Sequence, residues 1–211
     1  AFQKAHPATL KVSTGSSGNF YAQIRNGAPF DVFLSADMKY PRELVKAGYA
    51  DADSLTPYAV GRIVIWTLNP DIEVSRGMAA LLDPGVRRIA IANPEHAPYG
   101  HAAQAAAAHY GLWDKIRGRL VLGENISQTA QFVQSGNADI GIVALSLVKS
   151  PKLAKVGRYS EIPLSSHPRM DQGGVITRKG ATNPLAREYL NFLRSPEARA
   201  IFAKYGFLLP E

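Results

Sequence analysis

Three short segments of this 211-residue chain place hydroxyl groups, glycine and unencumbered backbone where chemistry with a small anion is possible. They are Gly15-Ser16-Ser17-Gly18, Ala97-Pro98-Tyr99-Gly100 and Glu124-Asn125-Ile126-Ser127. In each, a strand-like run ends in a short polar or glycine-containing turn and opens directly into a helical segment. The first turn of a helix carries unpaired N–H groups and the positive end of the helix dipole. Serine or glycine there lets an oxyanion approach the backbone closely. Each junction alone is ordinary, because a serine at a helix start is more often a cap than a ligand. Their recurrence points to a small anion held by neutral donors.

Other site chemistries find less support. No Gly-Lys-Ser/Thr follows a glycine loop, and the dinucleotide fingerprint is absent, which argues against a nucleotide. Ser16 and Ser17 lack the Gly-x-Ser-x-Gly setting of a nucleophile and have no evident His base, so acyl or phosphoryl transfer is disfavoured. His96 and His101 flank the Pro98-Tyr99-Gly100 turn without HExxH spacing or a carboxylate pair, and read as surface or cap residues rather than metal ligands. Asp31 and Asp37 could be paired acids, but Asp37 reads better as a helix cap after a strand. Trp66 and Trp113 sit in apolar segments and read as packing.

The elements that must position these turns follow from the apolar pattern. Strands are predicted at Leu10–Thr14, Asp31–Ser35, Arg62–Trp66, Arg88–Ala92, Leu120–Leu122, Ile140–Ala144 and Gly174–Thr177. Helices are predicted at 19–26, 41–47, 100–110, 127–134, 184–194 and 196–205, several stopped by a glycine such as Gly27, Gly48 or Gly136. Alternation of short apolar runs with helices indicates an α/β protein with largely parallel sheets. The unbroken apolar run Ile140–Ala144 reads as a buried parallel strand.

Composition bounds the class. Hydrophobic residues make up 46% and charged residues 19%, as in a globular chain with a real core. No apolar run approaches the roughly 20 residues of a membrane-spanning helix. With no cysteine, disulfides, thiolate metal sites and cysteine nucleophiles are excluded. The formal net charge of +7 favours anions in general. The basic residues are scattered, with only Arg87-Arg88 and Lys115-Arg117-Arg119 clustered, so a nucleic-acid surface is not indicated.

The runs from Gly15 to Ile24 and from Asn26 to Asp37 closely resemble the periplasmic molybdate-binding proteins of ABC importers. So do Asn93 to Gly100, the stretch from Gly123 to Ala144, and Tyr205-Gly206-Phe207 after Ser195-Pro196-Glu197. The resemblance covers essentially the whole chain. It implies a two-lobed periplasmic-binding-protein fold of type II, with lobe 1 formed by residues 1–60 and 172–211 and lobe 2 by 61–171. The ligand, molybdate or tungstate, would lie in the cleft between lobes. Ser17 would supply its hydroxyl and amide, and Tyr99 and Ile126 a backbone amide each, with Ser16, Gly100 and Asn125 as secondary candidates. The metal would be bound as an oxyanion, with no direct protein–metal bond and no cofactor. The resemblance also implies a monomeric, exported, non-enzymatic receptor in the periplasm that hands its ligand to the importer's membrane permease.

Two departures from the family pattern stand out. Some members use a tyrosine where this chain has Ala144. Ala1–Ala5 resembles the end of the family's first helix, so the first strand and the ligand from the turn after it are not in this sequence. Weakened or abolished binding is expected from that reading. Receptors for another oxyanion such as sulfate, and the sensing domain of a transcription regulator, share the architecture and are the competing readings.

Overall fold

The computed structural model describes residues 1–211. In chain order its elements are α1 (Phe2–Ala5), α2 (Ser17–Arg25), β1 (Val32–Ser35), α3 (Lys39–Lys46), β2 (Thr56–Gly61), β3 (Ile63–Thr67), β4 (Ile89–Ala92) and α4 (Pro98–His109). There follow α5 (Trp113–Ile116), β5 (Leu120–Gly123), α6 (Ile126–Gln134), β6 (Ile140–Ala144), α7 (Leu145–Val148), β7 (Arg158–Glu161), β8 (Met170–Ile176), α8 (Pro184–Leu193) and α9 (Pro196–Lys204). A 3-10 stretch, Val74–Leu82, lies between β3 and β4. The chain forms two compact units, one of residues 1–60 with 170–211 and the other of 61–169. No helix is long and apolar enough to cross a membrane.

The first unit is built on the sheet β1-β8-β2, in which β1 and β8 run antiparallel with Phe33 opposite Val175. Side chains alternate across a strand, so each face takes its own helices. Phe33 and Val175 join Ile24 and Leu44 under α2 and α3. Val32, Leu34 and Ile176 instead face Ala186, Leu190 and Leu193 of α8, with Phe202 of α9.

The second unit carries the five-stranded sheet β5-β4-β6-β3-β7. β4 is parallel to both β5 and β6, whereas β3 is antiparallel to β6 and β7. All five residues of β6 are buried, as expected of a central strand covered on both faces. α6 packs Ala130 and Val133 against Val64, Trp66, Ala90 and Val143. α4 lies on β3, β4 and β6, and its buried Ala102, Ala103, Ala106 and Ala107 let helix and sheet approach closely.

Two expectations from the sequence are corrected here. The sheets are mixed rather than largely parallel: the first unit's β1–β8 pair and the β3 pairings are antiparallel. Leu10–Thr14 is not a strand. No backbone hydrogen bond involves residues 9–15, and a trough of roughly 690 Å³ separates that run from β1. Alternating Leu10 and Val12 satisfy strand propensity, but a strand needs a neighbour at hydrogen-bonding distance. Val12 is accordingly 77% exposed.

Candidate functional site

In the first unit, α2 opens at the carboxyl end of the Gly15-Ser16 turn. Ser16 is its N-cap, its Oγ accepting from Asn19 N–H at 3.3 Å, while its carbonyl takes Phe20 N–H at 3.2 Å. Ser17 and Gly18 therefore carry the first-turn amides that the cap leaves unclaimed, and both residues are buried. The Ser17 side chain has a specific anchor: its Oγ accepts from Ala36 N–H at 3.0 Å. A hydroxyl with a lone pair so engaged keeps its single hydrogen for another acceptor. Ser17 thus offers an amide and a hydroxyl donor at the positive end of a helix.

In the second unit, two helix starts leave neighbouring parallel strands. β4 feeds α4 and β5 feeds α6, with Ala92 in register with Gly123. The two exits are tied together, because Asn93 N–H donates to Gly123 O at 2.7 Å and His96 Nε2 lies 3.6 Å from Glu124 Oε2. The carboxyl end of an α/β sheet is where such turns accumulate ligand-binding groups.

Local rules decide which amides these helices present. α4 begins at Pro98, which fits the first helical position and has no N–H, so Tyr99 bears the helix's first amide. The next two amides, of Gly100 and His101, turn back onto Ala97 O at 2.9 and 3.0 Å. Gly100 is required there, since a Cβ would stand 2.1 Å from Ala92 O. At α6, Asn125 Oδ1 accepts from both Ser127 and Gln128 N–H at 3.0 Å, and its carbonyl takes Thr129 N–H. Gln128 returns the favour, its Oε1 accepting from Glu124 N–H at 2.7 Å. The Ile126 amide is the one the cap does not use. Gly123 makes this possible, as a Cβ there would meet Thr129 Oγ1 at 2.6 Å.

The second unit thus brings Tyr99 and Ile126 to the carboxyl ends of the neighbouring strands β4 and β5, and the first unit carries Ser17. Gly100 serves the close approach of α4 to β4. The Ser16 and Asn125 side chains are occupied as caps. Ala144, buried at the end of β6, offers no side-chain donor. His101 is exposed and His96 pairs with Glu124.

Residues that sequence reasoning did not find lie beneath Ser17. Ser35 is fully buried, and its Oγ donates to Asp37 Oδ1 at 3.0 Å. Its carbonyl lies 3.2 Å from Tyr58 Oη, which is itself 3.0 Å from Gln172 Oε1. Asp37, expected as a helix cap, stands one residue before the N-cap position of α3, which Met38 occupies, yet its Oδ1 accepts from Tyr40 N–H at 3.1 Å. Burial pushes its carboxyl above the usual value, against the Tyr40 and Ser35 hydrogen bonds and nearby Lys39, which act the other way. No local signal marks the Ala36–Ser17 bond, whose partners are 19 residues apart.

The profile of the bacterial extracellular solute-binding proteins matches residues 1–208. The molybdate-binding protein of Rhodobacter capsulatus is 40% identical over 201 residues, spanning 95% of this chain and 77% of that protein. Its counterpart in Azotobacter vinelandii is 39% identical over 206 residues, spanning 98% and 81%. The solved periplasmic molybdate-binding protein of Azotobacter vinelandii superposes with a TM-score of 0.93 at 37% identity, covering 100% of this chain and 91% of that one.

Proposed function

This chain belongs to the bacterial extracellular solute-binding proteins, and from that premise we propose that it captures molybdate, or tungstate, for an ABC importer. Members of this family bind solutes for transport and are not enzymes. In the proposed complex the oxyanion accepts from the Ser17 hydroxyl and amide, the Tyr99 amide and the Ile126 amide. The filled protein then delivers it in the periplasm to the importer's membrane subunit. The reading is carried by one observation: α2 and α6 leave specific first-turn donors unclaimed by their own caps. Relatives at 40% and 39% identity that are named for molybdate support it.

Neutral donors suit such a ligand. Backbone amides only donate, and the Ser17 hydroxyl, already accepting from Ala36 N–H, has its hydrogen left to donate. Together they match a fully deprotonated dianion and offer no dedicated acceptor to a protonated phosphate's hydrogen. The charge of the ion is met by helix dipoles rather than by a cation, which keeps binding reversible. Sulfate shares charge and shape, so cavity size must reject it.

Thermal unfolding in the presence of molybdate, tungstate, sulfate or phosphate tests this directly. A ligand at 100 times its Kd stabilises the folded chain by about 2.7 kcal/mol. Molybdate and tungstate are expected to raise Tm, and phosphate to leave it unchanged. Stabilisation by sulfate alone would overturn the choice of ligand.

A further inference from the structure

The Ser17 hydroxyl can act as an aimed donor only if Ala36 N–H stays where it is. Ala36 is held by a small turn that closes on itself around a single carboxylate oxygen. Asp37 Oδ1 accepts from Ser35 Oγ, before Ala36, and from Tyr40 N–H, in the first turn of α3. Asp37 N–H in turn donates to Ser35 Oγ at 3.3 Å. Ser35 is anchored further below by Tyr58 and has no exposure to solvent. Support for the start of α3 accounts for the bond from Tyr40, but not for the bond back to the end of β1.

We propose that Asp37 is a positioning residue of the oxyanion site: by clamping the turn from Ser35 to Tyr40, it keeps Ala36 N–H on Ser17 Oγ and so aims the Ser17 hydroxyl hydrogen at the ligand. The inference rests on the reading of Ser17 as an oxyanion ligand. It acts through accepted hydrogen bonds rather than charge, so an amide oxygen at this position does the same work. A carboxyl whose ionised form is disfavoured by its own burial agrees with a geometric task.

Calorimetric titration with molybdate of the wild type, Asp37→Ala, Asp37→Asn, Ser17→Ala and the Ser17→Ala/Asp37→Ala double variant separates the possibilities. Asp37→Ala is expected to weaken binding about tenfold, and Asp37→Asn to bind within about threefold of wild type. The double variant is expected to bind no worse than Ser17→Ala alone, since contacts acting through one group are not additive. Additive losses would mean that Asp37 supports the fold generally, and tighter binding by Asp37→Asn would mean that its charge repels the anion. Either result overturns the proposal. If Asp37→Ala does not fold, Ser35→Ala removes the same bond from the other side and must show the same non-additivity with Ser17→Ala. If the folded wild type takes up no molybdate, the proposed function fails. The positioning role is then read from amide hydrogen exchange at Ala36, which Asp37→Ala must speed about tenfold while exchange in α8 and α9 is unchanged. Unaltered exchange at Ala36 overturns it.

Discussion

Gly100 shows how much of a binding turn is decided by a single absent atom. Its backbone runs so close to the end of β4 that a Cβ would lie 2.1 Å from Ala92 O and 2.6 Å from Ala92 C. Backbone at both sides cannot yield as a side chain could, so the helix start must move away from the sheet. Gly100→Ala is expected to destabilise the chain by about 3 kcal/mol, measured by denaturant unfolding. It should also shift Tyr99, whose amide opens the same helix. A loss under about 0.5 kcal/mol would show that α4 can slide. In the sequence Gly100 is only one residue of a polar turn. Its necessity comes from Ala92, which only the packing of α4 on β4 brings near. The same holds for Ser17: residue type and helix-start position were legible, whereas Ala36 and Asp37 as its supports were not.

At the level of elements, local pattern was a good guide wherever a partner strand or helix was present to receive the element. The apolar runs at Arg62–Trp66, Arg88–Ala92 and Ile140–Ala144 correspond to β3, β4 and β6, and the glycine stops at Gly27, Gly48 and Gly136 adopt positive φ. Leu10–Thr14 has an equally good pattern and forms no strand, because its backbone meets no ladder. Strand propensity is a statement about fitting a half-buried pleated surface, and Val12 faces solvent instead. Val12→Ser is therefore expected to change stability by no more than about 0.5 kcal/mol, as read from the midpoint of urea unfolding. A loss of about 1 kcal/mol or more would mean that this run is packed as a strand after all. Strand direction also departs from the local pattern. Short apolar runs separated by helices point to parallel order, but β3 runs antiparallel to both β6 and β7, and the run of apolar residues carries no sign of strand direction.

For the whole molecule, the division into units follows chain connectivity. Residues 61–169 are continuous, enclose a five-stranded sheet and bury their own cluster around Val64, Trp66, Val133 and Val143. A segment with its own core is a candidate for independent folding. The fragment 61–169 is expected to melt as a single cooperative transition in calorimetry; a broad, non-cooperative trace would show that its core depends on the first unit. The first unit, assembled from two distant stretches around β1, β8 and β2, has no such continuous fragment. By itself the sequence determined which helix starts could hold an anion, the α/β class and the family resemblance. These rest on local propensity, capping chemistry and motifs that lie within a few residues of one another. Tertiary structure alone decided why glycine is obligatory at position 100 and what holds the Ser17 hydroxyl. Those depend on atoms brought together from distant positions, such as Ala36 and Ser17, whose meeting no local pattern records.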